Sequence, residues 1–156
     1  MALAQLIYVS RRTPALNLDA LREIVAKAAR TNARRDITGI LMCAGQNLMQ
    51  ILEGEVASIV DRFEIIRADP RHFNVQCLVC KNVNKRMFQN YRMLLVDADT
   101  IALLDRRALM EELEDLHSNL GISGFPVEAR ILLGEFMQLC HAGASNSNLN
   151  KALRAA

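Results

Sequence analysis

The sequence predicts an α+β sandwich: a mixed five-stranded sheet with two helices on one face and a C-terminal two-helix cap on the other. Three observations predict it. Short apolar and β-branched runs alternate with amphipathic helical stripes. These elements follow one another in the order βαββαββ, the ferredoxin-like arrangement. Some runs, such as Ile37 to Met42, are almost continuously apolar, which suits a sheet covered on both sides.

Residues 4–10 read as the first strand, with Leu6, Tyr8 and Ser10 on one face and Gln5, Ile7 and Val9 on the other. Pro14 and Asn17 break that pattern and start a helix over 18–32. Its stripe of Leu21, Ile24, Val25, Ala28 and Ala29 continues into Asn32, so a polar amide extends an apolar face and needs a partner. Residues 37–43 and 47–53 form a hairpin around Ala44, Gly45 and Gln46. On its second strand Gln50 shares a face with Leu48 and Leu52. A second helix over 55–68 turns Val56, Ile59, Val60, Phe63 and Ile66 inward, and Asp69-Pro70 stops it. Strands over 73–81 and 87–96 follow.

The cap is expected to be a helix over 100–118 and a second one opening near Pro126, with Gly121 ending the first. Residues 1–96 thus make the main domain, 97–140 the helical cap and 141–156 a flexible tail.

The 156 residues are 51% apolar and 23% charged, which excludes wholesale disorder. No apolar run approaches the ~18 residues of a membrane span, and the N-terminus has no signal-peptide pattern. A cytoplasmic location follows as the expectation, with Cys43, Cys77, Cys80 and Cys140 as reduced thiols rather than a disulfide scaffold. Residues 1–96 hold 14 Lys and Arg against 8 Asp and Glu, a net +6; residues 97–156 hold 5 against 9, a net −4. The basic part suits a polyanionic ligand and the acidic part, around Glu111 to Asp115, a protein partner; either is otherwise a solvated surface. No charge block is long enough for a nucleic-acid arm.

Familiar catalytic patterns are missing. Cys77 and Cys80, the ends of a single C-x-x-C, point to opposite faces of a strand and cannot share a metal. His72, His117 and His141 are scattered, and there is no glycine-rich phosphate loop or nucleophile elbow. What remains is Tyr8, Asn32 and Gln50, three polar side chains on apolar faces. Left unpaired in a core, each costs about 1–3 kcal/mol. They are either a structural network between strand and helix or the polar edge of a site for a flat ligand held between Ile24 and Ile66.

The sequence resembles the BLUF family, blue-light sensors that use FAD. The matching segments are Leu6 to Ser10, Asn32, Ile37 to Leu41, Gln50 to Gly54, Asp69 to His72, and Arg86 to Phe88 with Tyr91 to Met93, all in family order across residues 3–96. The resemblance implies that Asn32 bonds the pyrimidine edge of the flavin ring, that Gln50 sits between Tyr8 and the flavin, and that Ile24 and Ile66 sandwich the ring. It places Asp69, Arg71 and His72 near the ribityl and phosphate portion. On light absorption Tyr8 would give up an electron and a proton, Gln50 would relay the proton, and its reorganised amide would lower the excited-state energy and shift absorption to the red.

Met93 is where the family passes the signal outward. Tyr91 stands where the family commonly has Trp, which makes it a second candidate signalling residue and electron donor. Arg92 replaces a usually small residue. The sixty residues beyond the match are too few for an ordinary enzymatic domain, so the expectation is a non-enzymatic receptor that acts on a downstream signalling protein and self-associates. Two alternatives stand beside it: a light-insensitive ferredoxin-like binding module, and an acylphosphatase-like enzyme using Arg11 or Arg12.

Overall fold

A computed structural model describes residues 2–98, 127–141, 143 and 151. The elements are β1 (Leu3–Arg12), α1 (Leu18–Arg34), β2 (Thr38–Ala44), β3 (Asn47–Glu55), α2 (Val56–Arg67), β4 (His72–Asn82), β5 (Leu94–Asp97) and α3 (Val127–His141). The five strands form one sheet in the order β4-β1-β3-β2-β5, antiparallel except for the β2–β5 pair. The mixed ferredoxin-like sandwich expected from the sequence is the fold observed.

Alternation along the strands sorts side chains onto two cores. Leu6, Tyr8, Leu41, Leu48 and Leu52 face Leu21, Val25 and Ala28 of α1 and Ile59 and Phe63 of α2. On the other side Ile7, Val9, Ile40, Met42, Met49 and Ile51 pack with Phe88, Tyr91 and, from α3, Leu133 and Phe136. The expected first cap helix over 100–118, Gly121, Pro126 and the acidic run Glu111 to Asp115 lie outside the described residues, as does nearly all of the 141–156 tail.

Local chemistry sets the element ends. The Asn17 side chain accepts from the Ala20 N–H at 2.9 Å and caps α1, a contact worth about 1 kcal/mol. After α1 the chain reverses through Asp36 at φ 50°. The β2–β3 hairpin turns at Gly45, whose φ of 57° suits a residue without Cβ. Inside β2, a Cβ on Gly39 would lie 2.1 Å from the Ile51 carbonyl oxygen, so strand pairing there requires glycine.

One expected element is shorter. Instead of a strand over 87–96, only Leu94–Asp97 pairs in the sheet. Residues 83–93 cross one end of the sheet from β4 to β5. The Val83 N–H bonds the Leu3 carbonyl, Met87 and Phe88 N–H groups bond the Glu53 carboxyl group, and the Gly39 N–H bonds the Tyr91 carbonyl. These partners satisfy backbone groups that a ladder would otherwise have to satisfy.

Candidate functional site

Tyr8 on β1 and Gln50 on β3 are directly opposite in the sheet register. Both point into the space between α1 and α2. The Tyr8 hydroxyl donates to Gln50 Oε1 at 2.6 Å, and Gln50 Nε2 donates to the Met93 sulfur at 3.3 Å. Tyr8 and Gln50 are 2% and 6% exposed. One carboxamide therefore joins a phenol and a thioether, its acceptor end on one and its donor end on the other. The short O–H···O contact aligns a proton along a path from phenol to amide.

The Tyr8 ring is held by its neighbours. Phe63 packs on it with ring centroids 5.3 Å apart and the His72 ring approaches edge-on at 6.3 Å. Burial pushes the Tyr8 hydroxyl well above the usual phenol range, with the Arg62 guanidinium pulling it partly back. The phenol is thus neutral across the physiological range and can act as a proton donor.

A cavity of about 470 Å³ opens beside this pair, lined by Ile24, Val25 and Ala28 of α1, Arg62 and Ile66 of α2, and Asp69, Arg71, His72 and Met93. Ile24 and Ile66, from facing helices, are its partly buried apolar walls. Its volume lies within the about 300–1,000 Å³ of small-molecule sites. Asn32, fully buried on α1 and not itself among the residues that line the cavity, donates from Nδ2 to the Arg92 carbonyl at 2.8 Å, while its Oδ1 has no partner among the described residues. An orphaned buried acceptor is the feature expected of a group that completes its bonding with a ligand N–H.

The turn after α2 forms the rim. Asp69 accepts from the Arg71 backbone N–H and Nε, each at 2.9 Å, and the Arg71 hydrogen bond lowers its carboxyl to about 2. His72 donates from Nε2 to the Ile66 carbonyl at 2.6 Å, and its Nδ1 faces the Ser10 hydroxyl at 2.9 Å. Both ring nitrogens are engaged within the protein, so His72 ties the end of α2 to β1 while lining the cavity. Tyr91 is not part of this site: it lies in the opposite core with Phe88 and Phe136.

Arg62 escaped the sequence reading. It lines the cavity, is half-buried, and forms no ion pair among the described residues. Its signal was spacing, since it lies one helical turn before Ile66 and so shares that face. Arg11 donates to Gln46 Oε1, and Arg12 to the Gly45 and Leu16 carbonyls. Both are committed to loop contacts and build no anion cradle of the acylphosphatase kind.

Comparison with known proteins agrees with this fold. The family model described as "Sensors of blue-light using FAD" matches residues 3–94. The blue light- and temperature-regulated antirepressor BluF of Escherichia coli (strain K12) is 35% identical over 95 residues, 61% of this chain and 24% of that protein. Among solved structures, a complex of Klebsiella pneumoniae BlrP1 superposes with a TM-score of 0.72 at 30% identity, covering 88% of this chain and 33% of that one. The dark-state structure of BlrB, a BLUF protein, gives a TM-score of 0.61 at 25% identity over 99% of this chain and 96% of that one. The chain thus spans about a quarter of the length of the antirepressor and nearly all of BlrB.

Proposed function

The chain belongs to the BLUF family, the sensors of blue-light using FAD, and from that premise we propose that it is a blue-light receptor whose switch is the Tyr8–Gln50–Met93 chain of hydrogen bonds. The observation that carries the proposal is the 2.6 Å Tyr8–Gln50 bond at the floor of the inter-helical cavity, continued by the amide's 3.3 Å contact with Met93. Bound FAD supplies a blue-absorbing ring system that is a strong oxidant when excited. With FAD bound, Tyr8 would be the group that gives up an electron and a proton and later recovers both, and Gln50 would take up and return that proton. In doing so the Gln50 amide exchanges its donor and acceptor ends. Such an exchange between buried hydrogen-bond patterns involves about 1–3 kcal/mol, enough to bias a two-state element without unfolding it.

The remaining roles follow from position. Ile24 and Ile66 hold the two faces of the flavin ring, and Asn32 Oδ1 accepts from its edge. Arg71, with Arg62, attracts the phosphates, while Asp69 and His72 hold the turn that presents Arg71. Met93 carries the change to the sheet edge, and Tyr91 receives it on the cap side.

Output then passes to a downstream signalling protein. In the antirepressor and in BlrP1 the matched segment is a quarter to a third of a longer chain, which supports reading this module as a sensor rather than an effector. A homo-oligomer and a cytoplasmic setting complete the proposal. None of the four cysteines is in a disulfide among the described residues, and no helix among those residues is long and apolar enough to cross a membrane. No step involves nucleic acid or lipid.

The test is a light-minus-dark infrared spectrum of the FAD-loaded chain with labelled glutamine side chains. A displaced amide carbonyl band that vanishes in Gln50→Leu supports the assignment. A spectrum in which no glutamine band moves refutes it.

A further inference from the structure

The buried carboxyl group of Glu53 has no part in the switch described above. It lies on β3, three residues after Gln50, and projects from the opposite face of the strand. Glu53 is fully buried. Its Oε1 accepts from Gln5 Nε2 and from the Met87 N–H, and its Oε2 from the Phe88 N–H, each at 2.9 Å. Two of those donors are backbone groups of the segment that crosses the sheet end and delivers Met93.

The same segment is held at further points. Arg86 donates from Nη1 to Thr38 Oγ1 at 3.0 Å and to the Glu53 carbonyl at 3.2 Å. It also reaches the Asp36 carboxylate at 2.7 Å, and Arg92 Nη1 reaches that carboxylate at 2.8 Å. Asp36 and Arg92 are largely exposed, so their pair contributes little by itself. Glu53 is the buried fixture. Its strand holds the segment from both faces, with Glu53 on Met87 and Phe88 and Gln50 on Met93.

We propose that Glu53 is a positioning residue for the light switch: by bonding the Met87 and Phe88 N–H groups it fixes the crossing segment so that the Met93 sulfur lies against the Gln50 amide. This rests on the light-sensing reading above for its consequence, though not for its geometry. Through Phe88 and Tyr91, which pack in the α3-side core, the same fixture links the position of Met93 to the cap face of the sheet.

Substitution by glutamine is the informative change. Glu53 faces three donors, and an amide brings one acceptor oxygen and a donor –NH₂ of its own. At least one backbone N–H then loses its partner while the side-chain volume is kept. The experiment uses the full chain loaded with FAD and labelled at its methionine methyl carbons, with the Met93 signal assigned through Met93→Leu.

In Glu53→Gln the Met93 methyl resonance should move in the dark, and recovery after illumination should change roughly two- to tenfold, the effect of one buried hydrogen bond expressed on the barrier. Arg86→Lys loosens the same segment from Thr38 and Asp36 without altering the carboxyl group, and should displace the same resonance. It decides the matter if Glu53→Gln does not fold. Lower melting temperatures with an unmoved Met93 resonance and wild-type recovery would make Glu53 purely structural and overturn the proposal. A wild-type chain that binds FAD yet does not respond to light overturns the light-sensing reading instead, and the dark-state Met93 resonance still decides the role of Glu53.

Discussion

Removing the Tyr8 hydroxyl tests the site through stability and photochemistry together. Tyr8→Phe keeps the ring that packs on Phe63 at 5.3 Å and deletes only the donor that Gln50 Oε1 accepts at 2.6 Å. A buried amide oxygen left without its partner costs about 1–3 kcal/mol. For a chain of this length each kcal/mol lowers the melting temperature by roughly 2–4 °C. The assay is thermal or urea unfolding in the dark, with FAD in the same excess for every variant because ligand binding adds its own stabilisation. Gln50→Leu breaks the same bond from the other side, so the double variant should lose less than the two single losses together, with a coupling of about 0.5–3 kcal/mol. Both single variants should bind FAD and fail to show the light-induced red shift. A coupling near zero, or a normal red shift in Tyr8→Phe, would refute the assignment of this pair as the switch.

Alkaline stability gives an independent reading of the same phenol. Burial raises the Tyr8 hydroxyl above its unfolded value near 10, so its neutral form stabilises the fold fully below pH 10 and that contribution is lost as pH rises further. Relative to Tyr8→Phe, wild-type stability should be pH-independent below about pH 9 and then fall by up to about 1.4 kcal/mol per pH unit above pH 10; equal slopes in denaturant titrations of the two proteins would contradict the burial. Gly39→Ala places a Cβ 2.1 Å from the Ile51 carbonyl oxygen and should cost about 3 kcal/mol or more, read as a lowered urea midpoint or loss of soluble protein; near-wild-type unfolding would contradict the β2–β3 register. A chain ended after residue 96 lacks Leu133 and Phe136, which pack over Ile40, Met42 and Ile51. It should bind a hydrophobic dye and aggregate, whereas a soluble, dye-silent product would argue against α3 as the cover of that face.

Much of the fold was legible because the two periods differ. Tyr8 and Gln50 stood out as polar positions on faces otherwise apolar at every second residue, and Asn32 as the end of a helical stripe. Two of the three, Tyr8 and Gln50, line the inter-helical cavity, while Asn32 lies buried on α1 outside its lining. The crossing segment was not legible. Met87, Phe88, Tyr91 and Met93 have the composition of a strand, yet the Met87 and Phe88 N–H groups bond the side chain of Glu53, 34 and 35 positions away. Local propensity cannot report a long-range acceptor of that kind. His72 was named from the resemblance, but its bonding was hidden for a similar reason: nothing near it in sequence signals that Ser10 and the Ile66 carbonyl occupy both ring nitrogens. Spacing puts Arg62 on the Ile66 face of α2 but does not mark it as a site residue, because whether a helix face meets water or a cavity depends on the helix opposite.

Visible absorption of the purified, FAD-loaded chain before, during and after blue illumination reads out the proposed light switch itself. A Tyr8–Gln50 switch gives a flavin spectrum whose bands move to longer wavelength in the light without bleaching and return in the dark. A chain that holds FAD and keeps an unchanged spectrum under the same illumination would contradict it.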